Sequence, residues 1–305
     1  NFSCTGAERW DKAMAKVPLP AWVGDGREGV HGAEGSYAPS INAARPRSAN
    51  PVYRRQHFPD PVLGEKPAAG STLFESDAVR CWTLDDEVGI VSFKTKLNTV
   101  SGGVLDGIHQ AIDLAERKLR GLVIWQTGEP FSAGADLSGA MEALKGGRIA
   151  EFDAMVNRFQ QTSMRIKFAL VPVVSAIRGM ALGGGCEFQM HSARTVAALE
   201  SYVGLVEAGV GLLPGGGGCK EIALRSAERA QFVQGGDVLP FLQKYFQTVA
   251  MGTVSGSALE AKELGLLRAT DTVVFNAHEL LHVAIQEARA LAESYLARMD
   301  AVDGT

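Results

Sequence analysis

Two glycine-hinged segments constrain this chain most: Phe131-Ser132-Ala133-Gly134-Ala135-Asp136-Leu137 and Ala181-Leu182-Gly183-Gly184-Gly185-Cys186-Glu187. Each reads as a tight turn that opens a helix. A helix start presents unpaired backbone N–H groups and a partial positive charge. Two such starts aimed at one point make a pocket for a negative oxygen, which suits an oxyanion growing on a carbonyl. Glu187 lies three residues after Gly184, and Glu207 follows 20 residues later, just ahead of the run Gly215 to Gly218. An anion pocket with two carboxylates predicts proton chemistry beside an activated carbonyl.

The surrounding pattern is α/β. Apolar runs at 88–93, 121–125, 172–177 and 195–199 predict strands. Helical spacing predicts helices over 105–119, 152–168 and 187–193. From 232 onward the chain reads as helical, with helices over 239–251, 257–264 and 277–295. Alternating strands and helices imply a mostly parallel sheet with ligands at the carboxyl ends of its strands. Both hinged segments follow such ends. The domain is expected over 71–300. Residues 1–70 differ: rich in Gly, Pro, Arg, Ser and Asn, they read as a linker or extended arm with one short helix near 7–17. The letters of GxGxxG occur at 24–29, but no strand precedes them and no acid follows at ~20 residues, so they read as a turn.

Composition excludes other classes. With 46% hydrophobic residues the chain supports a large core, and a net charge of −4 without a Lys/Arg run argues against a nucleic-acid surface. Cys4, Cys81, Cys186 and Cys219 are scattered, in no metal-binding spacing, and fit free thiols in a reducing cytoplasm. No apolar run of ~18 residues suggests a membrane span. A chain opening on Asn rather than Met is expected to be a piece of a longer protein.

Three motifs in order, FSAGADL (131–137), RGMALGGGCEF (178–188) and GLVEAGVGLLPGGGG (204–218), resemble the crotonase (enoyl-CoA hydratase/isomerase) superfamily. The resemblance covers about residues 72–292 and includes SALEAKELGLL (257–267). YVGLVEAGVGLLPGGGG and DVLPFLQKYFQTVAMGTVS resemble the hydratase part of long bacterial proteins that carry a 3-hydroxyacyl-CoA dehydrogenase part first. The resemblance implies a crotonase-like ββα spiral with C-terminal helices, a homotrimer or hexamer, and a dehydrogenase domain upstream in a longer chain. It implies an enoyl-CoA thioester as substrate, CoA being part of that substrate and no cofactor or metal being needed.

By motif position the resemblance assigns the oxyanion donors to the N–H groups of Ala135 and Gly184. It assigns water activation to Glu187, α-proton delivery to Glu207, and a water-holding N–H to Gly215. Ala133, Asp136 and Gly183 are expected alongside the substrate, Asp136 as a helix cap rather than a base. His191 follows the Glu187 helix and is the one histidine weighed for contact with the site. Lys94, Lys96 and Arg178 are candidates for the CoA phosphates by position. The expected reaction is hydration of an enoyl-CoA in fatty-acid β-oxidation. The alternatives are a Δ3-Δ2-enoyl-CoA isomerase, which needs one base only, and a non-catalytic acyl-CoA-binding module.

Overall fold

The computed structural model describes residues 66–233 and 235–303, together with 22, 24–26, 29–32, 35–46, 48, 58 and 59. The chain divides into two compact units, Asn1–Ala69 and Gly70–Thr305. Within the first, β1 (His31–Gly32), β2 (Gly35–Ala38) and β3 (Ala43–Arg45) form an antiparallel sheet. The helix expected at 7–17 lies outside the described residues. The sheet itself was not expected in an extended arm. Strands of two to four residues are too short to show alternation, and the Arg45 backbone leaves no room for a Cβ at Gly35 (φ 128).

The second unit holds a seven-stranded sheet. Its strands are β4 (Ser71–Glu75), β5 (Val79–Thr83), β6 (Val88–Phe93), β7 (Gly121–Trp125), β8 (Val173–Leu182), β9 (Arg194–Gly204) and β10 (Thr272–Val274). The spatial order is β10-β9-β8-β7-β6-β5-β4. From β6 to β10 all pairs are parallel; β4, β5 and β6 are antiparallel. Helices cover both faces, which is why the central strands read as unbroken apolar runs.

Successive side chains feed opposite layers. Val88, Ile90, Val123, Val174 and Val196 pack with Leu280, Ala284, Ile285 and Ala288 of α8 (Leu280–Asp303). Val91, Leu122, Ile124 and Ile177 pack with Val104, Ile108 and Ile112 of α1 (Gly102–Lys118). Each Leu or Ile so enclosed stabilises the fold by about 1.5–3 kcal/mol. Ser101 caps α1 by accepting from the Val104 N–H.

Two strands run longer than predicted. β8 continues to Leu182 and β9 to Gly204, past a slip in register between Ile177 and Gly179 (φ 60). The glycine makes a bulge that reads as a loop in sequence. The continuation carries β8 straight into the second hinged segment. The helix expected from 232 is corrected as well. Residues 231–233 and 235–238 are turn and loop, and the helical turns lie earlier, in α5 (Gly218–Ala230). The remaining helices are α2 (Ser138–Lys145), α3 (Ile149–Lys167), α4 (Gly184–His191), α6 (Leu239–Ala250) and α7 (Ala258–Glu263). No helix among the described residues is long and apolar enough to cross a membrane.

Candidate active site

The two hinged segments lie against each other. The first runs beside the end of β8: Ser132 pairs with Ala181, its N–H donating to Met180 O at 3.1 Å and its carbonyl accepting from Leu182 N–H at 3.0 Å. Gly134 (φ 102) and Gly183 (φ 50) make the reversals in conformations that side chains resist. The approach is close. A Cβ on Gly184 would stand 3.3 Å from the Ala135 nitrogen, and one on Gly134 3.5 Å from the Gly184 nitrogen. Among the described residues, neither the Ala135 nor the Gly184 N–H meets a protein acceptor. Gly184 opens α4, so its N–H is one of the donors a helix start leaves free.

Glu187 sits in the first turn of α4, buried. Its carboxylate accepts from the Gly218 N–H at 2.9 Å and from the Gly216 N–H. Those amides begin α5, so the carboxylate caps a second helix from outside. Burial first, and the neighbouring Glu207 charge second, push its pKa up to about 8; the two amides pull it down by less.

Glu207 begins a 3-10 turn, Glu207–Val210, just beyond β9. The Gly183 N–H donates to Gly204 O at 2.9 Å, which ties the second segment to the strand end that leads to Glu207. A Cβ on Gly183 would stand 3.4 Å from Glu207 Oε1. Glu207 Oε2 is buried without a hydrogen-bond partner among the described residues, and burial raises its pKa too. Two carboxyls reluctant to ionise therefore lie on the elements that flank the pair of free amides, Glu187 in the helix that Gly184 opens and Glu207 beside Gly183. The arrangement can hold an anionic oxygen and share one proton between two acids.

The other expected residues are placed as follows. Asp136 accepts from both the N–H and the hydroxyl of Ser138, the first residue of α2, and so works as a cap. Ala133 donates its N–H to Leu97 O. Gly215 lies one residue before the amides that hold Glu187, its carbonyl accepting from Gln160 at 2.7 Å. Lys94 is held by Glu75 and Ser76 O, and Arg178 donates to Thr127 O, while Lys96 is exposed. Among the described residues no group of three His, Cys, Asp or Glu is placed to hold a metal ion.

Sequence reasoning missed the part played by Gly216 and Gly218, and it gave Phe159 only as the end of a pocket-wall segment, 141–159, without placing it. Gly216 and Gly218 read only as a helix-start turn, although a glycine run opening a helix is itself a signal of free N–H groups. Phe159 of α3 stacks on Phe188 at 4.9 Å and fills the space beside both glycine runs: a Cβ on Gly184 or on Gly216 would stand 2.5 Å from its ring. Nothing in the helical spacing of α3 separates that phenylalanine from ordinary core.

Residues 85–232 match the family model described as Enoyl-CoA hydratase/isomerase. A Bacillus subtilis (strain 168) protein named "Probable 3-hydroxyacyl-CoA dehydrogenase" is 40% identical over 211 residues, 69% of this chain and 26% of that protein. A Rickettsia felis protein bearing the name of a fatty acid oxidation complex trifunctional enzyme is 39% identical over 132 residues, 43% of this chain and 18% of that protein. The chain thus spans about a quarter or less of the length of these relatives. A crystal structure of enoyl-CoA hydratase from Bacillus anthracis aligns with a TM-score of 0.54 at 26% identity, covering 70% of this chain and 76% of that one.

Proposed function

The chain carries an enoyl-CoA hydratase/isomerase domain of the crotonase family, and from that premise we propose that it adds water across the 2,3 double bond of an enoyl-CoA in fatty-acid oxidation. One observation carries the reading: the free amides of Ala135 and Gly184 approach each other beside two carboxyls that both resist ionisation. The thioester oxygen accepts from both amides. Those bonds strengthen as the carbonyl becomes enolate-like, and each such donor is worth roughly 3–4 kcal/mol in the transition state.

Glu187, oriented by the Gly216 and Gly218 amides, takes a proton from the attacking water while the water oxygen bonds to the β-carbon. Glu207 gives its proton to the α-carbon. One proton has entered the pair and one has left it, so passing it between the acids resets the site. The Gly215 N–H is the donor this scheme gives to the water. The product, a 3-hydroxyacyl-CoA, is the substrate class a 3-hydroxyacyl-CoA dehydrogenase consumes, which fits a longer chain with such a part upstream. Trimeric assembly and a cytoplasmic location belong to the same reading.

The test is loss of enoyl absorbance from crotonyl-CoA. Turnover by the wild type that falls by about 10²–10⁴ in Glu187→Gln and in Glu207→Gln supports the reading. No loss of absorbance, where a control hydratase consumes the substrate, overturns it. A 3-enoyl-CoA isomerised by Glu187→Gln as fast as by the wild type, without hydration in either, would point to the isomerase.

A further inference from the structure

Behind Glu187 lies a buried polar cluster that the proposed reaction does not use. His191, one turn further along α4, is 1% exposed. Its Nδ1 lies 2.7 Å from the Glu187 carbonyl oxygen. A carbonyl only accepts, so Nδ1 carries the hydrogen. The ring also backs the glycine run: a Cβ on Gly217 (φ 113) would stand 2.7 Å from ring Cε1 and 2.8 Å from Nε2. A side chain of the helix that carries Glu187, held within that helix by its own hydrogen bond, therefore packs against the loop whose amides hold the carboxylate.

The charges around the ring come from three elements. From α5, Glu221 Oε1 stands 3.6 Å from Nε2, and Lys220 pairs with Glu221 at 3.1 Å. Lys167 of α3 and Arg268, in the loop before β10, also pair with Glu221. Three cations already answer this carboxylate, so it does not require a charged imidazole. Burial dominates, and the His191 pKa is pushed down to about 4. The ring is neutral at physiological pH, a donor at Nδ1 with no hydrogen bond at Nε2 among the described residues.

We propose that His191 is a positioning residue: its Nδ1–H bond, made within α4, fixes the ring, and the ring braces the Gly216 to Gly218 loop against α4 and so sets how deeply the Glu187 carboxylate sits among its donors. The kinetic part of the test rests on the hydratase reading; the spectroscopic part does not. His191→Phe keeps a ring behind Gly217 but removes the donor. His191→Asn restores a donor close to the Nδ1 position. Both are compared with the wild type by carboxyl ¹³C NMR titration of Glu187, assigned with Glu187→Gln, and by crotonyl-CoA kinetics, with melting curves to establish folding.

In the Phe variant, loosened amides release the carboxylate, so its midpoint moves up by about one unit. kcat falls about tenfold with KM nearly unchanged, as misplacement of one reacting group predicts. The Asn variant recovers most of both. A folded Phe variant with the wild-type midpoint overturns the proposal, as does an Asn variant that folds yet titrates like Phe. If the wild type shows no hydration, the functional reading falls while the Glu187 midpoint still decides on His191.

Discussion

Replacing Glu187 by glutamine is expected to change how stability depends on pH as well as to stop turnover. The carboxyl is 3% exposed. Burial, then the Glu207 charge, raises its pKa from 4.5 to about 8. A carboxyl harder to ionise in the folded chain than in the unfolded one supports the fold fully below its unfolded value. That support is withdrawn as pH climbs toward the folded value. The window here is therefore about 4.5 to 8. Integrating the linkage relation from pH 5 to pH 8 gives a loss of roughly 3–4 kcal/mol in the wild type that a glutamine cannot show. Glutamine brings its own penalty, because its amide nitrogen must face one of the two N–H groups of Gly216 and Gly218, on the order of 1–3 kcal/mol. That term does not titrate. It offsets the difference between the two proteins without changing its slope. Urea unfolding of both proteins, followed by tryptophan fluorescence in half-unit steps across this range, measures the difference directly. Curves that stay parallel within about 1 kcal/mol would refute the argument that the carboxyl is buried against a like charge.

Three further outcomes follow from the packing. Gly184→Ala drives a Cβ into the Phe159 ring and toward the Ala135 nitrogen; kcat on crotonyl-CoA should fall about 10²- to 10³-fold, through displacement of one oxyanion donor. Phe159→Ala removes the ring stacked on Phe188 and shared by both glycine runs; denaturant unfolding should show a loss of about 3–5 kcal/mol, and a loss below about 1 would mean the site collapses freely. Burial pushes Glu221 up, but its ion pairs with Lys167 and Lys220 bring its pKa below the ordinary value. Its contribution is thus present above the unfolded carboxylate value and lost as pH falls through the folded one. Glu221→Gln should lower stability by roughly 3 kcal/mol near neutrality, and melting curves of the two proteins should converge in acid.

Strands β6 and β7 were legible to the residue. Val88–Phe93 and Gly121–Trp125 are apolar on both faces, as strands covered on both sides of a sheet are. Helix α1 was legible from its 3.6-residue stripe. Where the local signal is ambiguous, the reading slipped. Gly179 looks like a loop but is a bulge inside β8, because the partner strand β9 supplies the pairing on either side of it. Phe232 looks helical but is 89% exposed in a turn, while the helix runs over Gly218–Ala230, behind glycines that ordinarily discourage one.

What the sequence determined by itself was the chemistry at hand: two glycine reversals, two acids at a set spacing, and strands greasy enough to demand cover on both sides. Those are local properties, written in residue type and period. Tertiary structure decided the electrostatics. Only packing brings the start of α5 to the carboxylate of α4, places Phe159 beside both glycine runs, and seats His191 behind the second of them. Partners 25 or more residues apart leave no trace in a window of ten. A carboxyl that titrates ordinarily in the unfolded chain becomes one that resists ionisation because the fold excludes water from it and sets a second acid near it.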